Sequence, residues 1–468
     1  MSAEKTGFSH ENPPACIVLA AGKGVRMKSA RPKVLHEIGG RPMLLYSIDR
    51  AFELGCNPVV AVLGNGAELI KPVLPENVNV AIQKQQLGTG HATQCGMDAI
   101  DRADRVLVLY GDTPLLTGET LKKLLDVHSS SGKELAMLTA MMSAPNRLGR
   151  VVRGPDGVDR VVEAADAGPD ELAIKEVNAG IYVAGFEFLK RSLNELKSDN
   201  AQGEYYLTDV VQVAAGSGGG VLAHVVDDYT EVLGINDRIE LAAAERELNR
   251  RTLRNLMASG VTLIDPEHTY VQPSVSIGSD SVLYPGAVIE GKTVIGRNCV
   301  VGPGVMIRNS EIGNEVEVRA HSVIDLSKVG DETTVGPSAH LRPDSVIGPR
   351  CRIGNFVETK KVNIDEGTKA SHLTYLGDAQ IGKNVNIGCG TITCNYDGHE
   401  KHLTIIEDEV FVGSDTQFVA PVKIGRGAYI ASGSTVTKDV PPRSLSVSRA
   451  KQRDIPGGGE RLRKRKKK

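Results

Sequence analysis

A chain of 468 residues exceeds what one hydrophobic core organises, so two or more domains are expected. A net charge of −2 with an ordinary charged fraction argues against a nucleic-acid or membrane-surface protein. The seven cysteines (Cys16, Cys56, Cys95, Cys299, Cys351, Cys389, Cys394) form no CxxC pair, which argues against a disulfide framework or zinc site and fits a reducing cytoplasm. The N-terminus, MSAEKTGFSHENPP, is polar and reads as no secretory signal. No apolar run approaches the roughly 20 residues of a membrane helix.

In chain order, the first half alternates buried-strand runs with helical patterns. ACIVLAAG, PVVAVLG, NVAIQ, RVLVLYGD, ELAMLTAMM, GIYVAG and GVLAHVV read as strands; MLLYSIDRAFELG and TLKKLLDVHSSSG read as helices. This alternation predicts a Rossmann-like α/β domain with a mostly parallel, mixed sheet, whose ligands bind beyond the C-terminal strand ends. DRIELAAAERELNRRTLRNLMAS then reads as one long helix. Beyond it the aliphatic period is six: Ile277, Leu283, Ile289, Ile295, Val301, Ile307; Ile312, Val318, Ile324; Val329, Val335, Leu341, Ile347, Ile353; Ile381, Ile387; and Ile406, Val412, Phe418, Ile424, Ile430, Val436. Glycine often follows the aliphatic residue. This is the hexapeptide signature of an all-β parallel β-helix. The expected organisation is an α/β domain over 1–238, a linker helix over 239–259, and a repeat domain over 260–468. That domain would end in a disordered, solubilising basic tail, RLRKRKKK. The repeat is expected to be distorted at NFVETKKVNI and KASHLTYLGD and broken by an inserted loop at CNYDGHEKHLT.

Chemistry is expected where strands end. In IVLAAGKGVRMKSARPK a strand meets a glycine-rich turn with Arg26 and Lys33 beside it, a cradle for phosphate that matches neither the P-loop nor the dinucleotide fingerprint. Asp112, at the end of RVLVLYGD, can hold Mg²⁺, which takes one or two carboxylates plus substrate phosphates. QLGTGHA offers a second small-residue turn against which a planar base could lie. Taken singly, Gly24-Val25-Arg26 is an ordinary turn and Asp112 a helix cap; their coincidence at successive strand ends is what points to a nucleotide. In the second half, His372 lies in SHLTYLGD, a motif that departs from the repeat, and imidazole titrates in the range a base needs. His340, His399 and His402 read better as solvated or capping residues.

LAAGKGVRM, RPKVL, QLGTGHA, YGDTPLL, EVNAGIYV, AQGEYYLTD and GINDR resemble a sugar-1-phosphate nucleotidyltransferase. NFVETKK, SHLTYLGD, IGCGTITCNYDG, VGSDTQ and SVSRA resemble an acetyltransferase fused to it. From Ala15 to Arg449 the chain is similar to the bifunctional bacterial family of N-acetylglucosamine-1-phosphate uridylyltransferase and glucosamine-1-phosphate N-acetyltransferase. The resemblance implies a left-handed β-helix, a homotrimer in the cytoplasm, and synthesis of UDP-N-acetylglucosamine for cell-wall and lipopolysaccharide precursors. The small-molecule substrates would be glucosamine-1-phosphate, acetyl-CoA, N-acetylglucosamine-1-phosphate and UTP, with no nucleic acid and no membrane span.

For the N-terminal site the resemblance implies uridine-nucleotide contacts from Leu19, Ala20, Ala21 and Gly22, phosphate contacts from Arg26 and Lys33, and uracil reading by Gln83, Gly88 and Thr89. Tyr110, Gly111 and Asp112 would approach sugar and metal, and Gly149, Glu163 and Asn178 would hold the N-acetylglucosamine. Asp112 and Asn236 would bind Mg²⁺. For the C-terminal site it implies His372 as general base, Arg342, Lys360, Tyr375 and Asn386 around the hexosamine phosphate, and Cys389, Asn395, Tyr396, Ser414, Ser432 and Arg449 along acetyl-CoA. The chain departs from the family pattern at Leu148 (usually Tyr), at Ala179 (often Thr), and at Cys389 and Ser432, where alanine is expected.

Overall fold

The strand runs of the first half are apolar at both alternating positions, which only a sheet covered on both faces accommodates. The computed structural model describes residues 13–143, 145–155 and 157–465, so the polar N-terminal stretch up to residue 12 lies outside the described residues. The runs are β1 (Ala15–Ala20), β2 (Val59–Leu63), β3 (Val78–Ile82), β4 (Arg105–Tyr110), β5 (Leu135–Met141), β6 (Glu176–Gly185) and β7 (Val221–Val225). They lie in the order β7–β5–β6–β4–β1–β2–β3. Neighbours are parallel except around β6, which is antiparallel to β4 and β5. Among the described residues no long crossover helix separates β5 from β6, and parallel pairing usually uses one. Instead, a hairpin of Arg150–Gly154 with Gly157–Val162 branches from β6. The sequence did not mark it, because RVVRG and GVDRVV are short and carry charges.

Alternation along β1 shows the two covered faces. Cys16, Val18 and Ala20 enter one apolar layer, and Ala15, Ile17 and Leu19 the other. The expected helices form at Met43–Glu53 and Gly118–Ser131.

The long helix spans Arg238–Ala258. The chain divides into two compact units between Leu248 and Asn249, inside this helix. Leu241, Ala244 and Leu248 pack on the core of the first unit; Leu253 and Leu256 pack on that of the second.

In the second unit each short strand pairs in parallel with the third strand after it, as Ser276–Ile277 does with Val294–Ile295. Three strands therefore make one coil with three faces. All the aliphatic and aromatic residues of the six-residue period fall in one continuous buried column. Backbone hydrogen bonds between coils hold the stack, so adjacent coils sit about 4.8 Å apart. That spacing explains the glycine after the aliphatic residue. A Cβ on Gly296 would stand 2.5 Å from the carbonyl oxygen of Gly313 in the next coil. Corners turn through left-handed residues such as Asp280, Asn298, Glu315 and Glu332. The close packing of the coils offsets the cost of this conformation at the two glutamates.

One expectation is made specific and one is corrected. NFVETKKVNI and KASHLTYLGD depart from the repeat as expected, but without interrupting the stack. They lie in two 13-residue strands, Arg352–Ile364 and Lys369–Ile381, paired in parallel register along their lengths. Alternating inward residues (Val357, Val362; Leu376, Ala379) keep the column filled although the six-residue spelling is lost. The basic end is helical over Gly458–Arg465 where disorder was expected, since Glu460, Arg461, Leu462 and Arg463 are all good helix formers; Lys466, Lys467 and Lys468 lie outside the described residues. The inserted loop is as expected. Between the strands Ile392–Cys394 and Thr404–Ile406 the chain leaves the coil, and Tyr396 pairs with Lys401 across it.

The column makes a stability prediction. Ile353 is fully buried, so Ile353→Ala is expected to cost about 2–5 kcal/mol. Denaturant unfolding followed by circular dichroism measures it, and a loss below about 1 kcal/mol would mean the column is not close-packed there.

Candidate active sites

In the first unit two clefts open beyond the C-terminal ends of β1 and β4. The first, about 380 Å³, is lined by Leu19, Ala20, Ala21, Gly22, Lys33, Gln83, Gly88, Thr89, Tyr110 and Asp112 from the sequence expectations. Lys23, Val34, Gln86, Ala92 and Glu204 complete it. The second, about 200 Å³, is lined by Tyr110, Asp112, Gly149, Glu163, Asn178 and Asn236, with Arg147 and Leu148. Tyr110 and Asp112 belong to both, so the clefts meet at the end of β4. Gly111 lines neither; it is buried, its amide donating to the Leu19 carbonyl at 2.9 Å. Arg26 also lines neither. It is exposed on the 3-10 turn Val25–Met27.

At the junction Lys33 makes an ion pair with Asp112 and donates to Asn236 Oδ1 at 3.2 Å. Both partners of the ion pair are largely shielded, at 12% and 16% exposure. Gly24 makes this placement possible: its φ is +59° and a Cβ there would lie 2.5 Å from Lys33 Cβ. Asn236 is held on two sides. Its amide nitrogen Nδ2 donates to the Gly234 carbonyl at 3.2 Å, and its backbone N–H donates to Glu240 at 2.7 Å. Oδ1 is therefore the atom turned to the cation. A carboxylate and an amide oxygen converge on one ammonium ion, a donor set that suits a hard divalent cation with open positions for phosphate oxygens. The Lys33 ammonium occupies that position.

The walls of the second cleft are polar and fixed. Burial pushes the Glu163 carboxyl upward, with the Thr208 hydroxyl, 3.1 Å away, acting the other way. Gly149 sits close to Glu163: a Cβ on it would lie 3.4 Å from the carboxylate. The Gly149 carbonyl accepts from the Asn178 N–H at 2.8 Å. In the first cleft, Gln83 Nε2 bonds to the Gly88 carbonyl at 3.0 Å and contacts His91 Nδ1 at 3.1 Å.

In the second unit the expected residues fall on two corners that flank one face. The first corner runs down successive coils. Asn355 pairs in register with His372, and the carbonyls of Cys389, Ser414 and Ser432 accept from Asp415, Gly433 and Arg449 of the coils that follow. His372, Cys389, Ser414, Ser432 and Arg449 thus form one column. His372 is exposed, and its Nδ1 lies 3.1 Å from Asn355 Oδ1. An amide oxygen only accepts, so Nδ1 carries the proton and Nε2 is left as a base.

The other corner gathers cations. Arg342 pairs with Glu358 at 2.7 Å. The Lys401 ammonium beside Lys360 pulls its pKa down, with Arg342 adding to the repulsion. Asn395 donates to Asp378 close by, and Tyr396, 61% exposed, stands on the inserted loop. Tyr375 lies on the face between the corners, and its hydroxyl covers Gly377. Asn386 lies on the preceding face, between Lys369 and Phe411 in register.

Among the residues not singled out from sequence, Lys23 lies inside the GKG turn itself and Glu204 within AQGEYYLTD. Asn355 lies 17 residues before His372, one coil earlier, so the coil length would have found it. Lys401 carried no signal beyond its place in the inserted loop.

A model of the MobA-like NTP transferase domain matches residues 16–153, one of the GMPPB C-terminal domain matches 268–342, and one of bacterial transferase hexapeptide repeats matches 327–361 and 403–438. A bifunctional protein GlmU of Trichlorobacter lovleyi is 50% identical, over 94% of this chain and 96% of its own. Its namesake of Pelobacter propionicus is 50% identical over 96% and 99%, and that of a Geobacillus species 47% over 93% and 95%. With such identity along nearly its whole length, and an NTP-transferase sheet ahead of a hexapeptide-repeat helix, the chain belongs to the family of bifunctional GlmU proteins.

Proposed function

We infer that the chain makes UDP-N-acetylglucosamine in two reactions. The repeat unit acetylates glucosamine-1-phosphate with acetyl-CoA. The N-terminal unit then joins N-acetylglucosamine-1-phosphate to UMP from UTP and releases pyrophosphate. The observation that carries this reading is the seat shared by Asp112, Asn236 and Lys33 where the two clefts meet. A phosphate oxygen from one cleft has to attack a phosphorus held in the other, and the charge is concentrated at that point.

In uridylyl transfer by the N-terminal unit, Gln83, Gly88 and Thr89 take the base, and the turn amides with Lys23 and Lys33 take the triphosphate. Glu163, Asn178 and Gly149 take the sugar. Asp112 and Asn236 would hold Mg²⁺, which when bound supplies positive charge to the phosphate oxygens. Lys33, freed of that pair, would face the phosphates. The new bond forms between the sugar-phosphate oxygen and the α-phosphorus, and the bond to the leaving pyrophosphate breaks in line. Lys23 and Lys33 are the cations the cleft presents; Arg26 stands outside it.

In acetyl transfer, His372 Nε2 takes a proton from the amine of the hexosamine as the nitrogen attacks the thioester carbonyl, and the thiol of CoA leaves. Asn355 keeps the ring in the required tautomer. Arg342, Lys360 and Lys401 present a like-charged cluster that an anionic sugar phosphate relieves. Within one chain these cations and His372 stand at opposite edges of a face, five residues or about 16 Å of strand apart. A second copy set against this face would bring a cation corner to a base corner, which supports a homotrimer with shared acetyl-transfer sites. No helix among the described residues is long and apolar enough to cross a membrane. A cytoplasmic enzyme supplying cell-wall and lipopolysaccharide precursors is the setting this reading favours.

Mass spectrometry of the full-length protein with glucosamine-1-phosphate, acetyl-CoA, UTP and Mg²⁺ tests the whole reading, and absence of UDP-N-acetylglucosamine would sink it. Asp112→Ala is expected to lose uridylyl transfer by at least about 100-fold while acetyl transfer persists, and His372→Ala the reverse. If either variant lost both activities together, the division of labour would be wrong. Lys33→Met removes the resident cation. Calorimetric binding of Mn²⁺ without nucleotide should tighten by about fivefold, the worth of one shielded ion pair; unchanged affinity would show that Lys33 does not compete for the seat. Asn355→Ala is expected to lower the acetyl-transfer kcat by about tenfold, the worth of one hydrogen bond, with uridylyl transfer untouched; a kcat equal to wild type would refute the tautomer role.

A further inference from the structure

The amide of Gln83 can face the first cleft either way round, and the two orientations read opposite bases. With its oxygen inward it accepts from a ring N–H, as uracil offers. With its nitrogen inward it donates to a bare ring nitrogen, as cytosine offers. We propose that His91 is the positioning residue that holds this amide oxygen-inward and so sets the choice of pyrimidine, given the uridine reading of the cleft made above.

Four observations support it. First, the Gly88 carbonyl, 3.0 Å away, can only accept, so the Gln83 atom facing it is Nε2. Second, the other N–H of that nitrogen is directed to His91 Nδ1 at 3.1 Å. Third, for Nδ1 to accept, the ring proton must sit on Nε2, and that atom faces the Cys95 sulfur at 3.9 Å. Burial pushes the Cys95 thiol pKa up, so the sulfur is present as a neutral thiol and weak acceptor. Fourth, Gln83 is 3% exposed yet lines the cleft, and the side-chain hydrogen bonds it makes among the described residues both run through Nε2. Both N–H groups are thus used inside the protein and the oxygen is what remains for the ligand.

The surroundings hold this relay in place. His91 and Cys95 are one turn apart in the helix Thr89–Met97. Gly88, at φ +110°, is pressed on Tyr205: a Cβ on it would lie 2.5 Å from the Tyr205 carbonyl oxygen. The carbonyl of Gly88 also accepts from the Ala92 N–H at 3.1 Å, which fixes its direction. Without His91 only that single contact opposes rotation of the amide, and the freed N–H can turn to the cleft and meet a cytosine ring nitrogen.

The test uses the full-length protein with N-acetylglucosamine-1-phosphate and Mg²⁺, and measures kcat/KM for UTP and for CTP. In His91→Leu and His91→Ala the UTP-to-CTP ratio should fall by about tenfold, the worth of one hydrogen bond. In His91→Asn, whose Oδ1 can take the place of Nδ1 as acceptor, the ratio should stay near wild type. Acetyl transfer in the same molecules should not move, and an unchanged circular-dichroism melting profile reports that the first unit is folded. If turnover is too low, calorimetric affinities for the two nucleotides give the same ratio. Equal losses for UTP and CTP, an unmoved ratio, or an Asn variant that behaves like Leu would overturn the proposal. A wild-type protein indifferent between UTP and CTP would overturn the uridine reading, and this proposal with it.

Discussion

Parallel pairing is the constraint on which both units depend. In a parallel sheet every hydrogen-bonded edge runs the same way, so the strands end together and both faces must be covered by apolar layers. Nothing reactive can sit on the faces of β1 or β4, whose side chains are buried on alternate sides. The first places free of that demand are the turns beyond Ala20 and Tyr110, and both clefts open there. The same rule acts in the repeat unit with a different result. Its inward residues fill the column, its backbone is committed to the next coil, and chemistry is left to the corners and to one loop that leaves the stack.

Close approach of backbone to backbone is what the glycines provide in each unit. Gly24 lets the stem of Lys33 pack against the phosphate turn, and so delivers its ammonium to Asp112 and Asn236. Gly296 lets one coil rest on the next. In the first case the gain is electrostatic: a shielded cation is held at the one point common to two clefts. In the second it is the continuous hydrogen bonding that makes the column rigid enough for His372, Cys389, Ser414, Ser432 and Arg449 to line up along one corner.

Much of this was legible in the residues. The six-residue period named the buried column because nearly every inward position is aliphatic, with Thr359 and Thr393 as hydrogen-bonded exceptions, and the seven strand runs were legible because both faces of the sheet are covered. The long strands Arg352–Ile364 and Lys369–Ile381 were read as distortions, since a coil can keep its inward volume with Val357, Val362, Leu376 and Ala379 while losing the spelling of the repeat. The short charged hairpin after Gly149 was invisible for the opposite reason: its strands have one covered face and little apolar signal. Arg26 was expected at the phosphate from the glycine-rich turn it follows; in the structure it is exposed on that turn and lines neither cleft.

The sequence by itself determined which residues are inside, where strands must stop, and which family the motifs resemble, because these follow from burial period, backbone freedom and local spelling. Only the tertiary structure decided which groups meet. Lys33, Asp112 and Asn236 are distant along the chain and share one seat because β1, β4 and the segment before the long helix end side by side. The tautomer of His372 and the orientation of the Gln83 amide were likewise settled in space. Each depends on which atom of a partner, Asn355 in one case and Gly88 with His91 in the other, stands within hydrogen-bond reach. Hydrogen bonding is short-ranged and directional, so no spacing along the chain can encode it.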